Sequence, residues 1–328
     1  MLNIKIALAS DENFARHLAA LVASILSNSQ NDEAFDFYIL DGGISEQSQE
    51  RVHSLTCIKD FNIQFLKIDF DNKLKDCPNH AIYTKNTYSR LMLDSILPDV
   101  DRILYLDCDM IATRSLGALW ESDLQNKSLG AVHDFAIDLN CFEHVLTVFQ
   151  LELTFYDVFN AGMLLMNLDK IRKENSFRTT LEWVANHQNL LTWADQTALN
   201  VVFHNDVVFL DGMWNGSAQK KDHQHCEPMP AIIHYLTKVK PWHTEYDGLY
   251  ADQYERYLSM TPWKGTSRQP RTVIPKTSFL RRIKRRFADW IAQKALPHSP
   301  WLQSLMDYRD KMEEQNKTLF NIIRKKVE

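Results

Sequence analysis

Two carboxylates one residue apart, Asp107 and Asp109, close an apolar run in the segment Asp101-Arg-Ile-Leu-Tyr-Leu-Asp-Cys-Asp109. Short apolar runs of this kind read as buried strands of an α/β sheet. Ligands of open α/β sheets gather outside the carboxyl ends of the strands. A strand that delivers both carboxylates to that edge makes a hard-oxygen site for Mn²⁺ or Mg²⁺, and an ion there would hold a diphosphate. The pattern is short, and a strand-ending Asp also caps turns. Cys108, between the two, reads as a small apolar filler.

Four further segments carry polar groups at places where chemistry is done. Ala9-Ser-Asp-Glu-Asn13 ends the first apolar run. Its Asp11 and Asn13 can hydrogen-bond a base or ribose, or cap the helix that follows. In Phe159-Asn-Ala-Gly-Met163, Asn160 offers both donor and acceptor, and Ala161 and Gly162 let a ligand approach the backbone. A tight turn entering a buried strand accounts for the same residues. Thr192-Trp-Ala-Asp-Gln-Thr-Ala-Leu-Asn200 puts Asp195 and Gln196 at a helix start, either as a cap or as a carboxylate–amide pair at a reacting centre. In His234-Tyr-Leu-Thr-Lys-Val-Lys-Pro-Trp-His243, a neutral His234 can be a third ion ligand, while a lone His is more often structural. Lys240 can neutralise phosphate oxygens, on a loop stiffened by Pro241.

These residues need strands and helices to position them. The pattern predicts strands at 4–9, 35–40, 63–68, 103–106, 129–133, 162–167, 207–210 and 231–235. Helical periodicity falls at 16–27, at 45–55 with Ser45 as N-cap, at 88–95 and at 177–186. Such alternation predicts an α/β fold with a mostly parallel sheet. A Pro-, Ser-, Thr- and Arg-containing linker at 263–278 leads to two helices, at 279–295 and 300–326.

Taken together, the segments resemble glycosyltransferase family 8, especially its bacterial lipopolysaccharide and lipooligosaccharide α-galactosyl- and α-glucosyltransferases. The resemblance spans residues 1–265 and rests on the order of the motifs just given, with Thr87-Tyr-Ser-Arg-Leu91 added. It implies a GT-A fold, that is, a Rossmann-like nucleotide-sugar-binding domain over 1–265, with a UDP-sugar donor, Mn²⁺ and retention of anomeric configuration. It further implies that Ala9, Asp11, Asn13 and Tyr83 meet the uridine and that Asp107, Asp109 and His234 bind the ion. Arg90, Asn160, Ala161, Asp195 and Gln196 would line the donor sugar, Lys240 would hold the diphosphate, and Asp134 would face the acceptor. Thr237 stands where many members carry glycine, so either its hydroxyl replaces a backbone contact with the diphosphate or the loop sits differently.

Two routes fit retention. Asp195 is the better nucleophile for a double displacement, since an amide oxygen such as that of Gln196 is weakly basic. In a same-face attack, Gln196 would instead support the positive charge on the sugar ring through its carbonyl. A transferase acting on a capsule or protein acceptor, or a non-catalytic nucleotide-sugar-binding protein of the same fold, is the alternative.

Composition adds location and partners. The chain has 328 residues, 45% hydrophobic and 24% charged, which is ordinary for a globular protein. Five cysteines without CxxC spacing fit reduced thiols, and the first nine residues lack signal-peptide character, so a cytoplasmic protein is expected. Residues 264–294 hold ten Lys/Arg and one acid; with +9 there and −5 in total, the remaining residues carry −14. On a helical wheel Phe279, Ile283, Phe287, Trp290 and Ile291 share one face, and arginines and lysines fill the rest. This predicts a basic amphipathic appendage, 266–328, that lies peripherally on anionic lipid at the inner face of the plasma membrane rather than on nucleic acid. It suits a lipid-linked glycan acceptor. Trp301, Leu305, Tyr308, Met312, Leu319 and Ile322 recur at heptad-like spacing, which predicts a weak homo-oligomer or a stripe folded back on the chain.

Overall fold

In a computed structural model of the chain, the described residues are 1–69, 74, 77–78, 85–134, 157–219, 229–236 and 238–271. Tyr83, Thr237 and everything expected beyond residue 271 lie outside them. The apolar runs become strands: β1 Leu2–Ser10, β2 Glu33–Asp41, β3 Asn62–Lys67, β4 Arg102–Leu106 and β5 Met110–Ala112. There follow β6 Leu129–His133, β7 Phe159–Asn167, β8 Val207–Phe209, β9 Gly216–Ser217 and β10 Ile232–His234.

Seven strands form one sheet in the order β3-β2-β1-β4-β7-β6-β8, and β5-β10-β9 form a smaller one. The large sheet is parallel at β1/β2, β2/β3, β1/β4 and β6/β8. Strand β7 reverses and runs antiparallel to both β4 and β6. Periodicity identifies a strand but not its direction, so this reversal was not visible in the pattern. The order around β1 creates a switch point. The chain leaves β1 towards β2 and β3, then returns to place β4 on its other side, which opens a crevice at the carboxyl ends of β1 and β4.

Both faces of the large sheet are buried, which explains the near-continuous apolar runs. Ile6, Leu8, Leu104 and Leu106 pack with Leu18, Leu21, Val22 and Ile25 of the helix Ala15–Ser27. Ala7, Tyr105 and Leu164 point to the other face, with Phe177, Val184, Leu199 and Phe203 from the helices Ser176–Asn186 and Asp195–Phe203. Each such fully buried large aliphatic side chain contributes roughly 1.5–3 kcal/mol. A third cluster joins the small sheet to the helix Ala251–Leu258 through Ile111, Ile233, Tyr235, Tyr254 and Tyr257.

One predicted helix differs. Residues Lys85–Met92 form a 3-10 helix, followed by a single α-turn, Leu93–Ile96. Ser89 Oγ and Arg90 Nε donate to the carbonyls of Asn86 and Thr87, three residues back. Side-chain donors thus compete for carbonyls that an α-helix would use. The helices Leu168–Glu174 and Ala251–Leu258 and the short strands β5 and β9 were not among the expected elements. Among the described residues, no helix is long and apolar enough to cross a membrane.

Candidate active site

Strand β4 ends where its neighbours hold it. The Asp107 N–H donates to the Gly162 carbonyl of β7 (2.8 Å), and the Asp109 carbonyl accepts from the Tyr235 N–H just past β10 (3.0 Å). The antiparallel pairing of β5 with β10 then sets His234 opposite Met110. In consequence one ligand atom each from Asp107, Asp109 and His234 lies within 4.8 Å of the others. The expected ion ligands, two carboxylates from one strand end and an imidazole from a distant strand, form one cluster.

The cluster fits a divalent cation. Asp109 Oδ1 is buried and has no hydrogen-bond partner among the described residues, although His234 Nε2 is only 3.3 Å away. An unsatisfied buried carboxylate oxygen is costly unless a cation meets it. Gly162 keeps the space open: a Cβ there would stand 2.4 Å from His234 Cε1 and 3.0 Å from Asp107 Oδ2. Two carboxylates and an imidazole suit a first-row ion such as Mn²⁺. Lys240 Nζ lies 2.5 Å from Asp109 Oδ2 and also donates to the Tyr235 carbonyl. Burial would raise the Asp109 carboxyl, but the Lys240 ammonium outweighs it and holds the group well below the usual carboxylate range.

Arg90 is the second organising group and is 4% exposed. Its Nη2 donates to Asp107 Oδ1 (2.9 Å), its Nη1 to the Ala161 carbonyl, and its guanidinium lies over the Tyr105 ring at 4.2 Å. Its Nε lies 2.9 Å from Asp195 Oδ2 while donating to the Thr87 carbonyl at 3.2 Å. Asp195 Oδ2 therefore receives charge without an aligned hydrogen bond, and Thr87 Oγ1 donates to the other oxygen at 2.9 Å. Burial pushes the Asp195 carboxyl up; Arg90 opposes this and Asp107 adds to it, leaving the group above its ordinary range. The residue before it, Ala194, has φ of 49°. Such a backbone costs a non-glycine residue about 1–3 kcal/mol, and strain of this kind gathers at functional sites.

Behind Arg90, Gln196 bridges two groups. Its Oε1 accepts from the Ala161 N–H and its Nε2 donates to Asp134 Oδ2, both at 3.0 Å. Asn160 Nδ2 donates to the same Asp134 oxygen at 3.0 Å. Asp134, Asn160, Ala161, Asp195 and Gln196 thus form one hydrogen-bonded wall with Arg90 at its centre.

A cleft of about 320 Å³ opens at the ends of β1 and β4 and reaches Arg90, while Asp134, Asn160, Ala161, Asp195, Gln196 and His234 are not among its lining residues. Ala9, Asp11, Arg90, Asp107, Asp109 and Lys240 line it, together with Ser10, Asn86, Thr87, Tyr105 and Lys238. Asp11 also caps the 3-10 turn Glu12–Phe14 by accepting from the Phe14 N–H at 3.1 Å, so the capping function and the place in the cleft coexist. Asn13 is exposed on that turn and is not part of the cleft wall. Burial pushes the Cys108 thiol well up, in keeping with an inert filler.

Thr87, Tyr105 and Asn215 join the site without having been expected from the sequence pattern. Thr87 and Tyr105 stand within quoted motifs and gain roles only from the fold. Asn215 lies between Trp214 and Gly216 with no motif to mark it, yet its Oδ1 is 2.8 Å from His234 Nδ1.

An open α/β sheet carries at its switch point a carboxylate–imidazole cluster that could hold a divalent cation. The chain belongs to glycosyl transferase family 8, whose family model matches residues 5–245. It is 26% identical to General stress protein A of Bacillus subtilis, over 77% of this chain and 92% of that protein. It is 24% identical to the lipopolysaccharide 1,2-glucosyltransferase of Escherichia coli K12, over 86% and 84% of the two chains. The crystal structure of the galactosyltransferase LgtC with donor and acceptor sugar analogs superposes with a TM-score of 0.67 and 27% identity, covering 83% of this chain and 98% of that one. The fold is thus the GT-A type expected from the motifs.

Proposed function

We propose that this protein transfers galactose or glucose from a UDP-sugar to a lipopolysaccharide or lipooligosaccharide core glycan, with retention at the sugar carbon and with Mn²⁺, or Mg²⁺ in its place. The observation that carries the reading is the clustering of His234 with Asp107 and Asp109, which line the same cleft as Lys240, Ala9 and Asp11. A glucosyltransferase relative and a galactosyltransferase neighbour support the hexose class.

The three ligands would hold the ion, which supplies a Lewis acid beside the departing diphosphate. The chain's own residues do the rest. Lys240 carries an ammonium to the same place and neutralises phosphate oxygens. Arg90 fixes the wall against which the sugar lies, through Asp107 and Asp195. Asp195 is already held by Arg90 and Thr87, which reduces its availability as a nucleophile. We therefore favour same-face attack, in which the leaving oxygen takes the acceptor's proton and Gln196 supports the ring charge. Asp134, bonded to Gln196 and Asn160, would lie on the acceptor side.

The basic segment 264–294 would seat the protein on the inner face of the plasma membrane, near a lipid-linked acceptor. Residues 300–326 would add weak self-association; light scattering of the full chain and of a chain ending near residue 298 decides this. The central test is release of UDP from UDP-galactose, UDP-glucose and their N-acetyl forms with Mn²⁺, with and without a core oligosaccharide. An α-linked product is expected by NMR. Absence of turnover with every donor, or a β-linked product, overturns the reading.

A further inference from the structure

We propose that Asn215 is a positioning residue that sets the tautomer of His234, so that the Nε2 lone pair faces Asp109. The proposal rests on the reading of Asp107, Asp109 and His234 as ion ligands.

The Gly162 N–H can only donate, and it donates to Asn160 Oδ1 at 2.9 Å. That oxygen also accepts from Asn215 Nδ2 at 3.0 Å. The remaining polar atom of Asn215 is its carbonyl oxygen, which can only accept. It lies 2.8 Å from His234 Nδ1, so Nδ1 must carry the hydrogen. A neutral imidazole has one such hydrogen, and Nε2 is left bare. This accounts for Asp109 Oδ1, which has Nε2 at 3.3 Å and no hydrogen bond. Two electron-rich atoms side by side in a buried place are tolerated where a cation joins them.

The chain of bonds is buried. Asn160 and Asn215 are each 8% exposed and His234 is 3% exposed, so bulk water does not reach the ring. The residues come from three elements: β7, the turn Gly212–Asn215 and β10. At the far end Asn160 Nδ2 meets Asp134, so the acceptor-side carboxylate and the ion-side imidazole share one directional network. Outer partners of this kind orient a ligand and raise its basicity.

The test reads the ring directly. Long-range ¹H–¹⁵N spectra of the full chain labelled with ¹⁵N-histidine report the hydrogen on each ring nitrogen, with His234→Gln identifying the signal. The expected result is hydrogen on Nδ1 alone in the wild type, a tautomer mixture in Asn215→Leu, and Nδ1 again in Asn215→Asp, which keeps an acceptor. Mn²⁺ affinity in the presence of UDP should fall about 10–100-fold in Asn215→Leu and recover in Asn215→Asp. Hydrogen on Nε2 in the wild type overturns the proposal, whether or not the variants fold. So does an Asn215→Leu protein with unchanged tautomer and affinity. If the wild type binds no ion, the ion-ligand reading fails by itself, and the ring spectra still decide the role of Asn215.

Discussion

Asp109 sits between an amine and an imidazole, with Lys240 on one oxygen and His234 beside the other. Asp109→Ala should abolish ion-dependent UDP binding, as measured by titrating UDP with and without Mn²⁺; equal affinity in both would refute the assignment. Lys240→Met should act in two directions. It removes a phosphate partner and so weakens UDP binding, but it frees an Asp109 oxygen and so tightens Mn²⁺ binding when nucleotide is absent. A variant in which both affinities fall together would show that Lys240 does not compete with the ion. Gln196 is braced by Asp134 and the Ala161 N–H. If it acts on charge that develops only during reaction, Gln196→Ala lowers kcat far more than it raises KM. Steady-state kinetics with a fixed acceptor decides between that and a simple binding role.

At the scale of elements, β7 is the strand through which the site is most easily broken. Gly162→Ala leaves the backbone unstrained but drives a Cβ to 2.4 Å from His234 Cε1. The expected outcome is a folded protein with ion affinity lost, seen as an unchanged circular dichroism spectrum beside an absent Mn²⁺ response. The helix Ala15–Ser27 carries a pH dependence of its own. His17 stacks on Trp242 at 3.5 Å and shares a 2.6 Å hydrogen bond with the Tyr254 hydroxyl. Burial, with Arg16 assisting, holds it well below its ordinary value of 6.5. Above that value both native and unfolded forms are neutral. As pH falls through it, the unfolded chain takes a proton that the native protein refuses, so stability declines. Urea unfolding at about pH 7.5 and about pH 5.5 should show a smaller loss for His17→Gln than for the wild type. The strands and the carboxylate pair that ends β4 were legible because buried apolar runs and strand-end carboxylates are local signals. Strand β9, with two residues, has too little pattern to read. The reversal of β7 and the contact of Asn215 with His234 depend on which distant segments meet, which no local spacing encodes.

For the whole molecule, charge is the dominant asymmetry: +9 over residues 264–294 against −14 elsewhere. Each Lys or Arg near an anionic bilayer contributes about 1 kcal/mol, screened by salt. The full chain should sediment with anionic vesicles at low salt and be released at high salt, while a chain ending at residue 271 stays in solution and keeps its turnover on a soluble acceptor. Equal sedimentation of the two chains would remove the appendage from any membrane role. The ligand cluster has a mechanical consequence at the same scale. Asp107 directly follows β4 of the large sheet and His234 ends β10 of the small one, so an ion held by both would cross-link the sheets and close the long stretch of chain between them. Ligand that binds only the native state, at 100 times its dissociation constant, adds about 2.7 kcal/mol. Saturating Mn²⁺ and UDP should therefore slow amide exchange in β10 and β5 as well as at the cleft, making the small sheet a remote gauge of whether the cleft is filled.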